Sequence, residues 1–146
     1  MAEFRRFARV GLDSSILIYH LEDVAPYSDL TEAAFVAIAE GSPSAVLSTI
    51  SVTELLVEPF AGGQQDRVLA VERFVLSLPG TALVPPNYTT AKEAARLRAR
   101  YGIRTPDALL LATALAEKAE AFVTNDTRLR RLKGEGIAIM VLDDYV

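Results

Sequence analysis

Residues 7–21, Phe7-Ala8-Arg9-Val10-Gly11-Leu12-Asp13-Ser14-Ser15-Ile16-Leu17-Ile18-Tyr19-His20-Leu21, hold the transition that decides the fold. Phe7 to Leu12 is a short, mostly apolar run that reads as a buried strand, and Ser14 to Leu21 follows without a linker as an apolar helix. The turn between them falls on Asp13. The same unit recurs further along. Ala45 to Ile50 is a second buried strand and Ser51 to Val57 a helix, which Glu58-Pro59-Phe60-Ala61-Gly62-Gly63 closes in a loop. Thr81 to Val84 is a third strand, ended by Pro85-Pro86. Ala121 to Thr124 is a fourth, followed by a short helix from Thr127 and a last strand, Ile137 to Leu142. Helical spacing fills the intervals. Thr31 to Glu40 has Asp29 and Glu32 in capping-box positions and Gly41 as a stop, and Gln64 to Leu78 is amphipathic. Thr90 and Glu93 box the start of a helix to Tyr101, and Thr105-Pro106 opens another from Asp107 to Lys118. Strands that are continuous apolar runs and alternate with helices predict an α/β fold. We expect a mainly parallel sheet of about five strands, with helices on both faces.

Composition agrees with one such domain over residues 1–146. Hydrophobic residues make up 51% and charged residues 23%, the balance of an ordinary folded chain. The longest apolar stretch, Ala108 to Ala116, is far shorter than the roughly 20 residues that span a bilayer, so it predicts a core helix and no membrane partner. Met1-Ala2-Glu3-Phe4-Arg5-Arg6 carries positive charge but no following apolar segment of signal-peptide length, and a cytoplasmic location is expected. The absence of cysteine rules out disulfides, thiolate metal sites and a cysteine nucleophile. A net charge of -4 argues against an all-over basic surface for nucleic acid. Any such contact is local, and basic residues do cluster, at Arg96, Arg98, Arg100 and Arg104 and again at Arg128, Arg130, Arg131 and Lys133. Each cluster reads equally as a solvated helix face or as a set of phosphate contacts. Arg96, Arg100, Arg104 and Arg128 are the candidates for such phosphate contacts.

In open α/β sheets ligands bind outside the carboxyl ends of the strands. Asp13 ends the first strand, Glu54 lies one helical turn past the second, and Asp126 lies just past the fourth. Asp107 opens the preceding helix on the stripe of Leu110, Leu111 and Ala114, so it points with buried side chains. Taken singly, each acid is also a residue near a helix start, favoured by the dipole by about 0.3–1 kcal/mol. Glu54 completes a capping box with Ser51, and Asp126 is placed to cap the helix behind it. Taken together, four acids from four separated segments meet at one rim, where they repel one another unless a cation intervenes. Magnesium accepts carboxylate oxygens, waters and substrate phosphates and needs neither sulfur nor imidazole. No Gly-x-x-x-x-Gly-Lys loop, Gly-x-Gly-x-x-Gly turn or Gly-x-Ser-x-Gly elbow is present. An aspartyl-phosphate phosphatase would want a second acid where Ser15 stands. His20, the only histidine, is expected to pack or lie at the surface.

Leu12-Asp13-Ser14-Ser15-Ile16-Leu17-Ile18 resembles the opening Asp-Thr-Asn motif of PIN domains, with Ser14 and Ser15 in place of its Thr and Asn. Ser48-Thr49-Ile50-Ser51-Val52-Thr53-Glu54-Leu55-Leu56 resembles the second motif of that family, Thr105-Pro106-Asp107-Ala108-Leu109 the third and Thr124-Asn125-Asp126 the fourth. The four occur in order over nearly the whole chain, and the compact form is similar to the VapC-like toxins of VapBC-type toxin-antitoxin pairs. The resemblance implies a magnesium-dependent endoribonuclease, with manganese able to substitute, acting on RNA, often dimeric and blocked by a protein antitoxin. It implies Asp13 and Asp107 as direct metal ligands, Asp126 as a ligand directly or through water, and Glu54 as the group that orients or deprotonates the attacking water. Ser14 and Thr124 are expected to support these acids by hydrogen bonds. Two alternatives use the same residues: a metal-dependent phosphatase acting on small phosphomonoesters, and a PIN-like binding module without turnover.

Overall fold

A computed structural model describes residues 2–146. Strand β1 (Arg9–Leu12) runs into helix α1 (Ser14–Leu21), and α2 (Ser28–Ala39) returns the chain to β2 (Ser44–Ser48). Helices α3 (Ile50–Ala61) and α4 (Gln65–Leu76) lead to β3 (Thr81–Val84). Then come α5 (Tyr88–Tyr101), α6 (Thr105–Ala116), β4 (Ala121–Thr124), a 3-10 stretch (Thr127–Glu135), β5 (Ala138–Val141) and a closing 3-10 turn (Leu142–Tyr145). The five strands form one sheet in the order β3-β2-β1-β4-β5, and every pairing is parallel. The register sets Val10 beside both Ala45 and Ala121.

Side chains alternate across the sheet and build two cores. Val10, Leu12, Ala45, Leu47 and Val123 pack with residues of α1 to α4, while Phe122 on the opposite face packs with residues of α5, α6 and the 3-10 stretch. Helix α6 is buried along most of its length, and Leu110 and Leu111 each gain about 1.5–3 kcal/mol by leaving water. Its seat on the sheet depends on small residues. A Cβ added to Gly11 in β1 would stand 2.6 Å from the Cβ of Ala114 in α6, so only glycine lets the helix lie this close.

The fold class is as the sequence predicts, and several boundaries are not. The first strand begins at Arg9 rather than Phe7, and the second ends at Ser48, with Ile50 already helical. Helix α3 continues through Pro59 to Ala61 instead of breaking at Glu58. Pro59 is buried and only two helical residues follow it, so the single lost backbone bond is tolerated there. Of the three expected capping boxes, those at the starts of α2 and α5 do not form as expected. Helix α2 starts at Ser28 behind Tyr27, with no side-chain cap, and Asp29 lies inside its first turn. Helix α5 is capped by Asn87, whose side chain accepts from the Thr90 backbone while Thr90 Oγ1 accepts from the Asn87 backbone; Glu93 pairs with Arg96 instead. Gly41 does follow α2 at φ 86, the conformation a helix stop requires. His20 packs between Phe35 and Phe74. No helix among the described residues is long and apolar enough to cross a membrane.

Candidate active site

Strand order reverses between β1 and β4, and at such a point the loops leaving the two strands part and open a crevice. Asp13 leaves β1 on one side of it and Asp126 leaves β4 on the other. An open cleft of about 270 Å³ lies there, lined by Asp13, Glu54, Asp107 and Asp126, by Ser14, Ser15, Ile18 and Tyr19 from α1, and by Arg104 and Asn125. The structure thus places all four sequence-predicted acids in one cleft.

Each carboxylate is held by a different partner. Asp13 stands at the N-cap of α1 but makes no capping bond with its side chain. Its backbone N–H donates to the Val123 carbonyl at 2.9 Å, and its Oδ2 accepts from the Thr124 hydroxyl at 2.5 Å. Burial is the main reason its pKa rises to about 6, and the charges of Asp107 and Glu54 push it further in the same direction; the Thr124 hydrogen bond opposes them. Thr124 serves twice, because its oxygen also accepts the backbone N–H of Asp126 at 3.0 Å. Glu54 Oε1 accepts from Ser14 Oγ at 2.7 Å, and Ser14 Oγ lies 2.7 Å from Ser51 Oγ. Since one hydroxyl donates one proton, Ser51 donates to Ser14 and Ser14 to Glu54. The expected Ser51–Glu54 capping box therefore does not form: α3 begins one residue earlier, at Ile50, and both side chains turn toward α1.

Asp107 is buried in the first turn of α6, and Arg104 Nε reaches its Oδ2 at 3.3 Å. Asp126 caps the 3-10 stretch through the Arg128 backbone N–H, and the Arg128 guanidinium grips both of its oxygens at 2.9 and 2.8 Å. That grip holds the Asp126 carboxyl below the usual range.

The PIN domain model matches residues 10–135. The chain belongs to the PIN-domain family. Solved structures of similar fold include VapBC2 from Rickettsia felis bound to a promoter DNA fragment, at 17% identity and TM-score 0.73, covering 91% of this chain and 98% of that one. DNA-bound VapBC from Salmonella typhimurium is 19% identical with TM-score 0.67, covering 92% and 98%. FitAcB from Neisseria gonorrhoeae is 21% identical with TM-score 0.65, covering 92% and 97%. A comparison with curated proteins gives no match.

The cleft of this PIN domain offers carboxylate and hydroxyl oxygens without thiolate or imidazole, a donor set that fits a hard divalent cation. Ser15 Oγ, in the cleft wall, is buried with no hydrogen-bond partner. A ligand water or phosphate oxygen would satisfy it. Among the described residues no three acidic or histidine side chains stand close enough to enclose an ion by themselves.

The arginine candidates divide. Arg104 lines the acidic cleft, and Arg128 joins it in a narrow adjoining crevice of about 50 Å³ with Asp107 and Asp126. Arg96 and Arg100 line neither. Both are bound by Glu135, at 2.5 and 3.1 Å, and this nearly buried carboxylate also accepts from the Tyr101 hydroxyl, tying α5 to the 3-10 stretch. Sequence reasoning did not assign Ser15, Ser51, Tyr19 or Asn125 to the site, although Ser15, Ser51 and Asn125 lie within the motifs quoted for the resemblance. The roles of Ser51, Tyr19 and Asn125 come from contacts with distant segments; Asn125, for example, bonds Tyr19 and the Asp143 backbone.

Proposed function

We propose that this PIN domain is a magnesium-dependent endoribonuclease and the toxin of a toxin-antitoxin pair. The observation that carries the reading is the convergence of Asp13, Glu54, Asp107 and Asp126 on one cleft at the carboxyl edge of the sheet. Membership of the PIN family supports a nuclease, and the toxin-antitoxin complexes among the structures of similar fold support an antitoxin as partner.

Asp13 and Asp107 would hold the cation, with Asp126 a third donor, directly or through water. When bound, the cation supplies positive charge and Lewis acidity beside the scissile phosphodiester. Glu54 keeps one carboxylate oxygen clear of its Ser14 bond, and that oxygen orients and deprotonates the water that attacks phosphorus. Thr124 and Ser14 fix the rotamers of Asp13 and Glu54, so the acids do not reorganise as charge builds on the phosphate. Arg104 and Arg128 are placed to meet the negative phosphate oxygens.

Purified protein should cleave a single-stranded RNA internally in magnesium and leave a small phosphomonoester such as p-nitrophenyl phosphate largely intact. Asp107→Asn should lower cleavage roughly 100-fold or more, because a lost ligand removes several kcal/mol of transition-state stabilisation. Preference for the monoester, or near wild-type cleavage by Asp107→Asn, overturns the assignment.

A further inference from the structure

Two of the four acids are held by hydroxyls, and the other two by arginines. Thr124 and Ser14 donate to Asp13 and Glu54. Arg104 and Arg128 engage the very oxygens of Asp107 and Asp126 that a cation would use. The two arginine pairs are alike in form. Each joins residues close in sequence, three apart for Arg104 and Asp107 and two apart for Arg128 and Asp126, and each guanidinium is exposed while its carboxylate is not: 64% against 10%, and 68% against 22%. Neither guanidinium makes another side-chain hydrogen bond among the described residues. They are free to swing. Arg96 and Arg100 differ, because they are the exposed arms of the nearly buried Glu135 in a knot that joins two elements.

We propose that Arg104 and Arg128 are exchangeable counter-ions: they neutralise Asp107 and Asp126 in the cation-free protein, and turn to the phosphates of RNA when a divalent cation takes those carboxylates. The inference rests on the reading of the acids as a cation site. Cation and guanidinium compete for the same oxygens, so each arginine weakens cation binding in the absence of RNA. A pair whose guanidinium lies in solvent can be displaced, the single 3.3 Å contact of Arg104 more readily than the two-point grip of Arg128. Once displaced, the two guanidiniums are left at the mouth of the cleft, where their forked donors suit an incoming phosphate. Cation and RNA then assist each other's binding, by the same factor in both directions.

The test measures manganese binding to the intact protein by titration calorimetry, without RNA and with a single-stranded oligoribonucleotide, for wild type, Arg104→Gln, Arg128→Gln, Asp107→Asn and the control Arg130→Gln. Without RNA, Arg104→Gln and Arg128→Gln should each bind manganese more tightly, by up to about fivefold, the equilibrium worth of an exposed ion pair. Both should bind the oligoribonucleotide more weakly in calcium, and the gain in manganese affinity on adding RNA should shrink. Arg130→Gln, which removes the same charge from the Asp144 pair, should change none of these. Unchanged or weaker manganese binding in both arginine variants overturns the exchange, while weak binding by Asp107→Asn in the same experiment leaves the acids as the cation site. Wild-type manganese affinity in Asp107→Asn contradicts the site reading itself.

Discussion

Asp13 sits where a carboxylate is poorly placed to ionise: buried, facing Asp107 and Glu54, with one strong hydrogen bond from Thr124 to support its charge. Its pKa of about 6, against 3.8 for an ordinary aspartate, fixes the sign of a stability effect. Between about pH 4 and 6 the metal-free native state holds a proton that the unfolded chain has released, so raising the pH through this window costs stability, in all ~3 kcal/mol. Glu93, Asp126, Glu135 and Asp144 act in the opposite sense. Arginine partners hold them below their usual values, so their stabilisation is lost only as the pH falls beneath about 4. Denaturant unfolding in chelator should therefore show wild-type stability falling from pH 4 to 7, with Asp13→Asn flatter over that range and up to ~3 kcal/mol more stable at pH 7. A wild-type profile that rises from pH 4 to 6 as steeply as that of the variant would remove the burial penalty and, with it, the physical reason for a cation at Asp13.

At the scale of elements, the strand-to-helix units were readable because each is local. An apolar run, a punctuating residue and a helical period lie within about fifteen residues, and all five strands follow from them. What escaped was decided between segments. Ser51 and Glu54 have capping spacing, but Ser14 from another helix takes both side chains. The Arg96, Arg100 stripe reads equally as a solvated face or a set of phosphate contacts, and its pairing with Glu135, 35 residues beyond Arg100, is visible only in the fold. The approach of α6 to β1 is likewise invisible in either element alone. Gly11→Ala should destabilise the fold by ~1–3 kcal/mol through overpacking against Ala114 and Phe122. In a double-mutant cycle with Ala114→Gly the two costs should fall short of additive, because the second change removes the clash made by the first. Strict additivity would place the strain elsewhere.

Over the whole molecule, a parallel sheet directs every strand's carboxyl end to one rim, and the reversal of strand order between β1 and β4 opens the crevice there. That architecture brings residues as far apart as Asp13 and Asp126 into one cleft in a chain of net charge -4. The sequence shows four acids at the edges of their elements; their separate partners, Thr124, Ser14, Arg104 and Arg128, depend on the assembled fold and show how the negative charge is borne without metal. The central claim is that these acids act together through a hard divalent cation. Its most direct test is cleavage of a defined RNA by protein stripped of metal, assayed in chelator and then with each ion restored. Cleavage should be absent in chelator and return with magnesium or manganese, with calcium supporting little turnover, since its larger, irregular coordination sphere aligns and activates water less well. Undiminished cleavage by rigorously metal-free, contaminant-free protein would falsify the account and leave the four acids as residues of helix starts.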